Sequence, residues 1–252
     1  MPGSRERAGM TSSSDDPRVV DSNIARFSTD RGYTGRYRET FHDLTSEAVR
    51  GRVLDVGAGG GGTHDRWEFP NATEVVRMDV GAYDDLDVRA DGTRLPFETG
   101  TFDTVLCSAV FEHVRLSRLH RLFEEIARVL APGGKLVAAV AFSYPLHGEP
   151  HDYSRPTVHG LRDLAAAAGL ETDLLYRGGS YVDTLLHVLY SPVRRTCMFL
   201  DVRWLSGVFA LVHYPLLALA WVAAAVLEGA YGENPFGNKW NVMSGIVATD
   251  ED

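Results

Sequence analysis

Apolar residues in this chain fall into short runs separated by longer stretches with helical spacing. Val53 to Val56 form a brief apolar run around Asp55, and five of the next six residues are glycine. A buried strand that ends in a sharp turn fits this pattern. Glu74 to Val80 and Phe102 to Ser108 read as two further strands. Leu119, Leu122, Phe123, Ile126, Val129 and Leu130 then recur at i, i+3, i+4 and i+7 and predict one face of a helix. Pro132-Gly133-Gly134 should stop that helix, and Lys135 to Phe142 predict a strand. A helix over Thr157 to Gly169 and strands at Glu171 to Tyr176 and Trp240 to Thr249 complete the pattern. Strands alternating with helices predict an α/β fold, a Rossmann-like parallel sheet covered on both faces.

Two stretches depart from that alternation. Met1 to Asp21 is polar and without periodicity, which predicts a disordered tail over 1–21 and a single domain over 22–252. Tyr37, Phe41 and Leu44 predict a lead-in helix just before the glycine strand. At the other extreme, Trp204 to Leu227 runs for 24 residues without Asp, Glu, Lys or Arg, inside a helical insert at about 180–235. Its length suits a membrane span. However, Pro215 divides it, and the final strand must return to the same sheet. A hairpin in the membrane interface, a cover over the substrate site, a buried helix pair and a dimer contact are all compatible with it.

Composition narrows the partners. The 252 residues carry a net charge of −9, which argues against broad nucleic-acid binding. The two cysteines, Cys107 and Cys197, have no metal-ligand spacing and make no disulfide framework. A cytoplasmic location is expected, at the inner face of the membrane if the apolar stretch touches lipid.

The glycine loop carries the first chemistry. Gly57-x-Gly59-x-x-Gly62 lets the backbone approach a ligand closely, and the literal spacing also fits a dinucleotide. Asp55, at the strand end, suits a ligand bearing positive charge. Asp79 lies 22 residues beyond Gly57, where an acid meets the hydroxyls of a ribose. Asp91-Gly92 predicts a turn, with Leu95-Pro96-Phe97 as an apolar plug.

Taken together, Leu54-Asp55-Val56-Gly57-Ala58-Gly59, Asp79, Asp91-Gly92-x-x-Leu95-Pro96-Phe97, Phe111-Glu112-His113-Val114 and Leu130-x-Pro132-Gly133-Gly134 resemble class I S-adenosylmethionine-dependent methyltransferases. The nearest subgroup is the ubiquinone type, methyltransferase type 11. The resemblance spans Gly51 to Glu171 and implies that the last strand runs antiparallel. It implies S-adenosylmethionine as cofactor, with Asp55, Gly57, Ala58 and Gly59 along its methionine and sugar portion. Asp79 and Val80 would meet the ribose side, Asp91 and Gly92 the adenine, and Ser108 and Val110 the methionine arm. Some relatives bind a metal through a further carboxylate three residues before the Glu-His pair. Ala109 stands there in this chain, and Glu112 with His113 alone is a poor ligand set. No required metal is expected.

The acceptor side is sought in Ser143 to Arg155, which holds two histidines, two acids, two tyrosines and an arginine. His147 and His151 suit a general base, as does His113. Asp152 suits orientation of a histidine; Tyr144, Tyr153 and Arg155 suit acceptor binding. Asp152 and Arg155 equally fit a structural ion pair capping the next helix. The expected activity is methyl transfer to a small-molecule, glycan or lipid-linked acceptor, at oxygen. The alternative is a methyltransferase-fold scaffold without turnover.

Overall fold

The computed structural model describes residues 10–11, 18–22, 45–59, 69–178, 215, 219 and 243–250. Its centre is a nine-stranded sheet. In chain order the strands are β1 (Met10–Thr11), β2 (Val19–Ser22), β3 (Arg50–Val56), β4 (Asn71–Asp79), β5 (Val88–Arg89), β6 (Phe102–Ser108), β7 (Leu130–Ala141), β8 (Leu170–Gly178) and β9 (Met243–Asp250). Two helices are described, α1 (Leu116–Val129) and α2 (Val158–Ala167). Across the sheet the order is β1-β2-β8-β9-β7-β6-β3-β4-β5.

Strands β5, β4, β3, β6 and β7 pair in parallel, so their C-terminal ends share one edge. The last strand, β9, inserts between β7 and β8 and is antiparallel to both. Gly178 is registered against Met243, so 179–242 leaves and re-enters the sheet at facing positions.

Alternating residues go to opposite faces of these strands. On one face Leu54, Val105, Leu136 and Ala138 pack with Leu122, Phe123 and Ile126 of α1 and Leu161 of α2. On the other, Val53, Leu106, Val137 and Val247 pack with Val49 and Phe69. Burial on both faces accounts for the near-continuous apolar runs. Each fully buried side chain of α1 contributes roughly 1.5–3 kcal/mol.

Two local readings change. The polar stretch 1–21 expected to be a disordered tail contains β1 and all but the last residue of β2, and β2 pairs in parallel with β8 from Val19↔Leu175 to Ser22↔Gly178. The free edge of β8 supplies the reason: Leu175 N donates to Arg18 O at 2.8 Å, and Val19 is buried. Leu130 closes no helical turn, because the chain turns extended at that residue and enters β7 directly. Pro132-Gly133-Gly134 then lies in a register shift, between the Phe102↔Leu130 and Thr104↔Lys135 pairs. The lead-in helix, the helix after the glycine loop and most of the insert lie outside the described residues. Within the apolar stretch, Pro215 and Leu219 are helical and exposed. Among the described residues no helix is long and apolar enough to cross a membrane.

The Leu95-Pro96-Phe97 plug is locked from below. Leu95 N donates to Glu125 Oε2 at 2.8 Å, and Arg128 Nη1 and Nη2 donate to Phe97 O and Leu95 O at 2.8 and 3.0 Å. Arg128 also clasps both oxygens of Glu125, at 3.0 and 2.8 Å. Those hydrogen bonds hold the buried Glu125 carboxyl below its ordinary value, despite the opposing effect of burial.

Candidate active site

The parallel strands deliver every motif to one edge. After β3, Gly57 N and Ala58 N donate to Met78 O at 2.8 and 3.1 Å, which ties the loop to β4. Gly57 has φ 73°, and a Cβ built there would lie 2.5 Å from Val110 Cγ2. Gly59 also has a left-handed φ, 61°, yet a Cβ there would meet no described residue within 4 Å. The first glycine is thus demanded by packing and backbone together, the second by its backbone conformation. Asp79 spans the turn: Oδ2 accepts Gly59 N at 3.0 Å and Oδ1 accepts Gly81 N at 2.7 Å. Val80, next to it, is an exposed apolar side chain. Asp55 is fully buried.

Asp91 is occupied differently from a simple adenine acceptor. Its Oδ1 accepts Thr93 N and Thr93 Oγ1, both at 2.9 Å, and its Oδ2 accepts Arg118 Nη2 at 2.8 Å. Burial raises the carboxyl, but the bonds from Thr93 and Arg118 outweigh it and the net shift is downward. Gly92 packs against α1, where a Cβ would come within 2.9 Å of Leu122 Cδ1. Ser108 and Val110 are half-buried at the end of β6.

Between them, Ala109 takes φ 59°, left-handed for a residue with a Cβ, and its N–H donates to Ala139 O at 2.8 Å. This kink leads into a 3₁₀ turn, Phe111–His113, rather than the first turn of a long helix. The turn buries Glu112 completely. Glu112 Oε1 accepts Ala141 N at 3.4 Å, and its backbone carbonyl accepts Tyr153 N at 2.7 Å. Its Oε2 has no hydrogen-bond partner among the described residues. Burial pushes this carboxyl up, against weaker opposing effects that include His113 and His147.

The 143–155 loop folds back over this turn. His147 Nε2 lies 3.9 Å from Glu112 Oε1, and the His147 ring meets those of His113 and Tyr144 edge-on at 4.9 and 4.8 Å. His113 Nδ1 is 2.5 Å from His151 O, and His147 Nδ1 is 3.2 Å from Pro145 O. The left-handed Gly148, φ 68°, allows the close approach: a Cβ there would sit 2.9 Å from His113 Cε1. Asp152 accepts His147 N at 2.9 Å and binds Arg155 through both oxygens, one of them to Nη2 at 2.7 Å. Arg155 holds that carboxyl well below the usual carboxylate range. The pair is a loop clasp; the helix cap belongs to Thr157, whose side chain accepts Gly160 N at 3.1 Å. His151 is exposed, with Nδ1 2.9 Å from Tyr153 Oη, and Arg115 lies over the Tyr153 ring at 5.6 Å.

The structure therefore joins residues that the sequence holds apart. Glu112 and His113 acquire His147 as a neighbour, with one donor atom from each of the three within 4.8 Å of the others. The expectation of no metal treated Glu112 and His113 as an isolated pair, and they are not isolated. Glu112 itself is the residue that sequence reasoning left outside the site. Its signal was the adjacent Glu112-His113 pair set between apolar Phe111 and Val114.

Residues 54–138 match the family described as Methyltransferase domain. A demethylmenaquinone methyltransferase of Renibacterium salmoninarum is 35 % identical over 127 residues, 46 % of this chain and 52 % of the relative. A protein of Encephalitozoon cuniculi, named as a candidate methyltransferase, is 32 % identical over 159 residues, 54 % of this chain and 70 % of the relative. The chain belongs to the class I S-adenosylmethionine-dependent methyltransferases, in the type 11 group. A Haemonchus contortus phosphoethanolamine N-methyltransferase, solved with S-adenosyl-L-methionine, shares the fold at TM-score 0.51 and 17 % identity, over 86 % of this chain and 53 % of that one. The chain spans about half the length of the Renibacterium relative.

As a class I methyltransferase it takes S-adenosylmethionine, and the glycine edge fits that group. Among the described residues nothing lies within 4 Å of where a Gly59 Cβ would project, which suits close approach of a ligand to its backbone. The buried Asp55 favours a cationic neighbour, and the exposed Val80 offers a flat apolar contact beside Asp79.

Proposed function

We propose that this chain methylates a small-molecule acceptor, at oxygen, at the edge where the glycine loop and the 143–155 loop meet. The observation that carries this reading is the placement of Asp79 with Gly59 and of the His-rich loop at the same C-terminal edge of one parallel sheet. When bound, S-adenosylmethionine supplies an electrophilic methyl group on a sulfonium. In this reading Asp55, Gly57, Ala58 and Gly59 flank its methionine and sugar portion, Asp79 and Val80 its ribose side, and Ser108 and Val110 its methionine arm. Asp91 and Gly92 shape the adenine side, with Asp91 acting through the Thr93–Arg118 clasp.

Most of the rate of an in-line displacement comes from alignment, and the chain supplies rigid walls. Asp152 and Arg155 fix the loop, so Arg155 positions rather than grips the acceptor. Tyr144 and Tyr153 form the acceptor's walls. His151 is the base: with Nδ1–H donated to Tyr153 Oη, its Nε2 accepts the proton of an acceptor hydroxyl. His113 and His147 face Glu112 and act as a unit with it.

The Renibacterium relative is named for a small-molecule acceptor, which supports that class here. The uncharged stretch from Trp204 to Leu227 supports an acceptor that is lipid-linked, reached by resting this segment on the membrane surface. Asp79→Ala should weaken S-adenosylmethionine binding by about tenfold or more in calorimetry; unchanged affinity refutes the cofactor assignment. Labelled methyl donor with fractionated cell extract should place label in lipid or small-molecule pools. Deleting 204–227 should shift the protein out of the floating membrane fraction; an unchanged distribution refutes the membrane contact.

A further inference from the structure

We infer that Glu112, His113 and His147 bind one divalent transition-metal ion. The third donor comes from the loop at residue 147, while position 109 carries only the Ala109 methyl group. Three observations converge. One donor atom from each side chain lies within 4.8 Å of the other two. Glu112 is fully buried, and its Oε2 has no hydrogen-bond partner among the described residues. A buried carboxylate oxygen left without a partner is costly, and a cation beside it removes that cost. The 3.9 Å between His147 Nε2 and Glu112 Oε1 is too long for a hydrogen bond. Two ligands on one tetrahedral ion with bonds of roughly 2.0–2.1 Å sit about 3.3–3.4 Å apart, so the pair closes by about half an ångström to share an ion.

The surroundings of the imidazoles agree. His113 Nδ1 is 2.5 Å from His151 O, and His147 Nδ1 is nearest Pro145 O at 3.2 Å, with Asp152 Oδ2 and Arg155 Nη2 each 3.5 Å from the latter nitrogen. An imidazole that donates Nδ1–H to an oxygen carries its lone pair on Nε2, the arrangement that metal-binding histidines adopt. The loop is in turn fixed by Arg155 on Asp152, so its positive charge is already matched. Gly148 removes the Cβ that would otherwise press on His113. Two nitrogens and one carboxylate favour a borderline ion such as Zn(II), Co(II) or Fe(II) over Mg(II) or Ca(II), which want several oxygens. Three protein donors would leave a coordination position open to an exogenous ligand.

The test uses the full chain, stripped with chelator and titrated with Zn(II) by competition against a chromophoric chelator, then with Co(II) while visible absorption is recorded. One ion per chain is expected, with a Co(II) spectrum of low-coordinate type. Glu112→Gln and His147→Ala should each lower Zn(II) affinity by more than roughly tenfold. His120→Ala, which alters an exposed histidine on α1, should bind as the parent does. His147 lies on a loop at the rim, so its replacement reports on binding even if Glu112→Gln perturbs folding, and circular dichroism melts identify that case. Stoichiometric binding lost in His147→Ala and kept in His120→Ala supports the site. Equal Zn(II) affinity in the parent and His147→Ala, no binding by the parent, or tighter Mg(II) than Zn(II) binding overturns it.

Discussion

Glu125 and Glu112 lie 13 residues apart, both buried within one fold, and they are treated in opposite ways. Glu125 has both oxygens engaged by Arg128, Arg121 and Leu95 N, and its carboxyl is held down. Glu112 has one long backbone contact on Oε1 and none among the described residues on Oε2, and its carboxyl is pushed up. The first arrangement joins a loop to a helix and finishes its chemistry internally. The second keeps bonding capacity in reserve at the edge where ligands bind. A buried acid that is fully satisfied reports on stability, and one that is not reports on function.

The comparison can be broken most directly by truncation. Glu125→Ala strands Leu95 N and Arg128 and should cost about 3 kcal/mol in a urea unfolding curve, since breaking a buried pair leaves its partners unpaired. Glu112→Gln removes a charge that burial already disfavours, so in chelator it should change stability by under about 1 kcal/mol. If the two variants lose equal stability, the distinction fails.

Titration sharpens the contrast. Glu125 has a folded pKa below its ordinary 4.5, so its stabilisation is present above that value and is lost as pH falls through the lower folded one. Glu112 has a folded pKa above 4.5; its favourable contribution is full below that value and is lost as pH rises through the folded one. In chelator, Glu125→Gln should therefore differ from the parent least in acid, and Glu112→Gln should gain on the parent as pH rises. Slopes of the same sign in both would refute the assignment. The smallest effect belongs to Arg121→Ala. This exposed partner of Glu125 should cost under about 0.5 kcal/mol, and a larger loss would mean that the Glu125 cluster depends on its rim.

The central strands and α1 were legible in the sequence because burial on two faces and helical periodicity write themselves into apolar spacing. Asp55, Gly57 and Asp79 were legible because a strand end, a positive φ and an acid at fixed separation leave a local signature. β2 was not, since a four-residue edge strand of mixed polarity owes its existence to the free edge of β8, more than 140 residues away. Nor was the Glu112–His147 contact, which depends on Ala109 and Gly148 both bending the chain left-handed. Asp152 and Arg155 were legible as a pair, while the cap expected of them is made by Thr157.

The register of Gly178 with Met243 carries a further consequence. Strands β8 and β9 are the two arms of a hairpin, and the 64 residues from 179 to 242 form an excursion from its tip. Replacing them with a four-residue turn keeps the facing register of the two strands, since the closure cost of a flexible loop changes by only roughly 0.6 kcal/mol per doubling of length. Such a shortened chain should keep β9 seated between β7 and β8. A circular dichroism melt that keeps the parent's cooperativity would make 179–242 separable from the sheet that carries it.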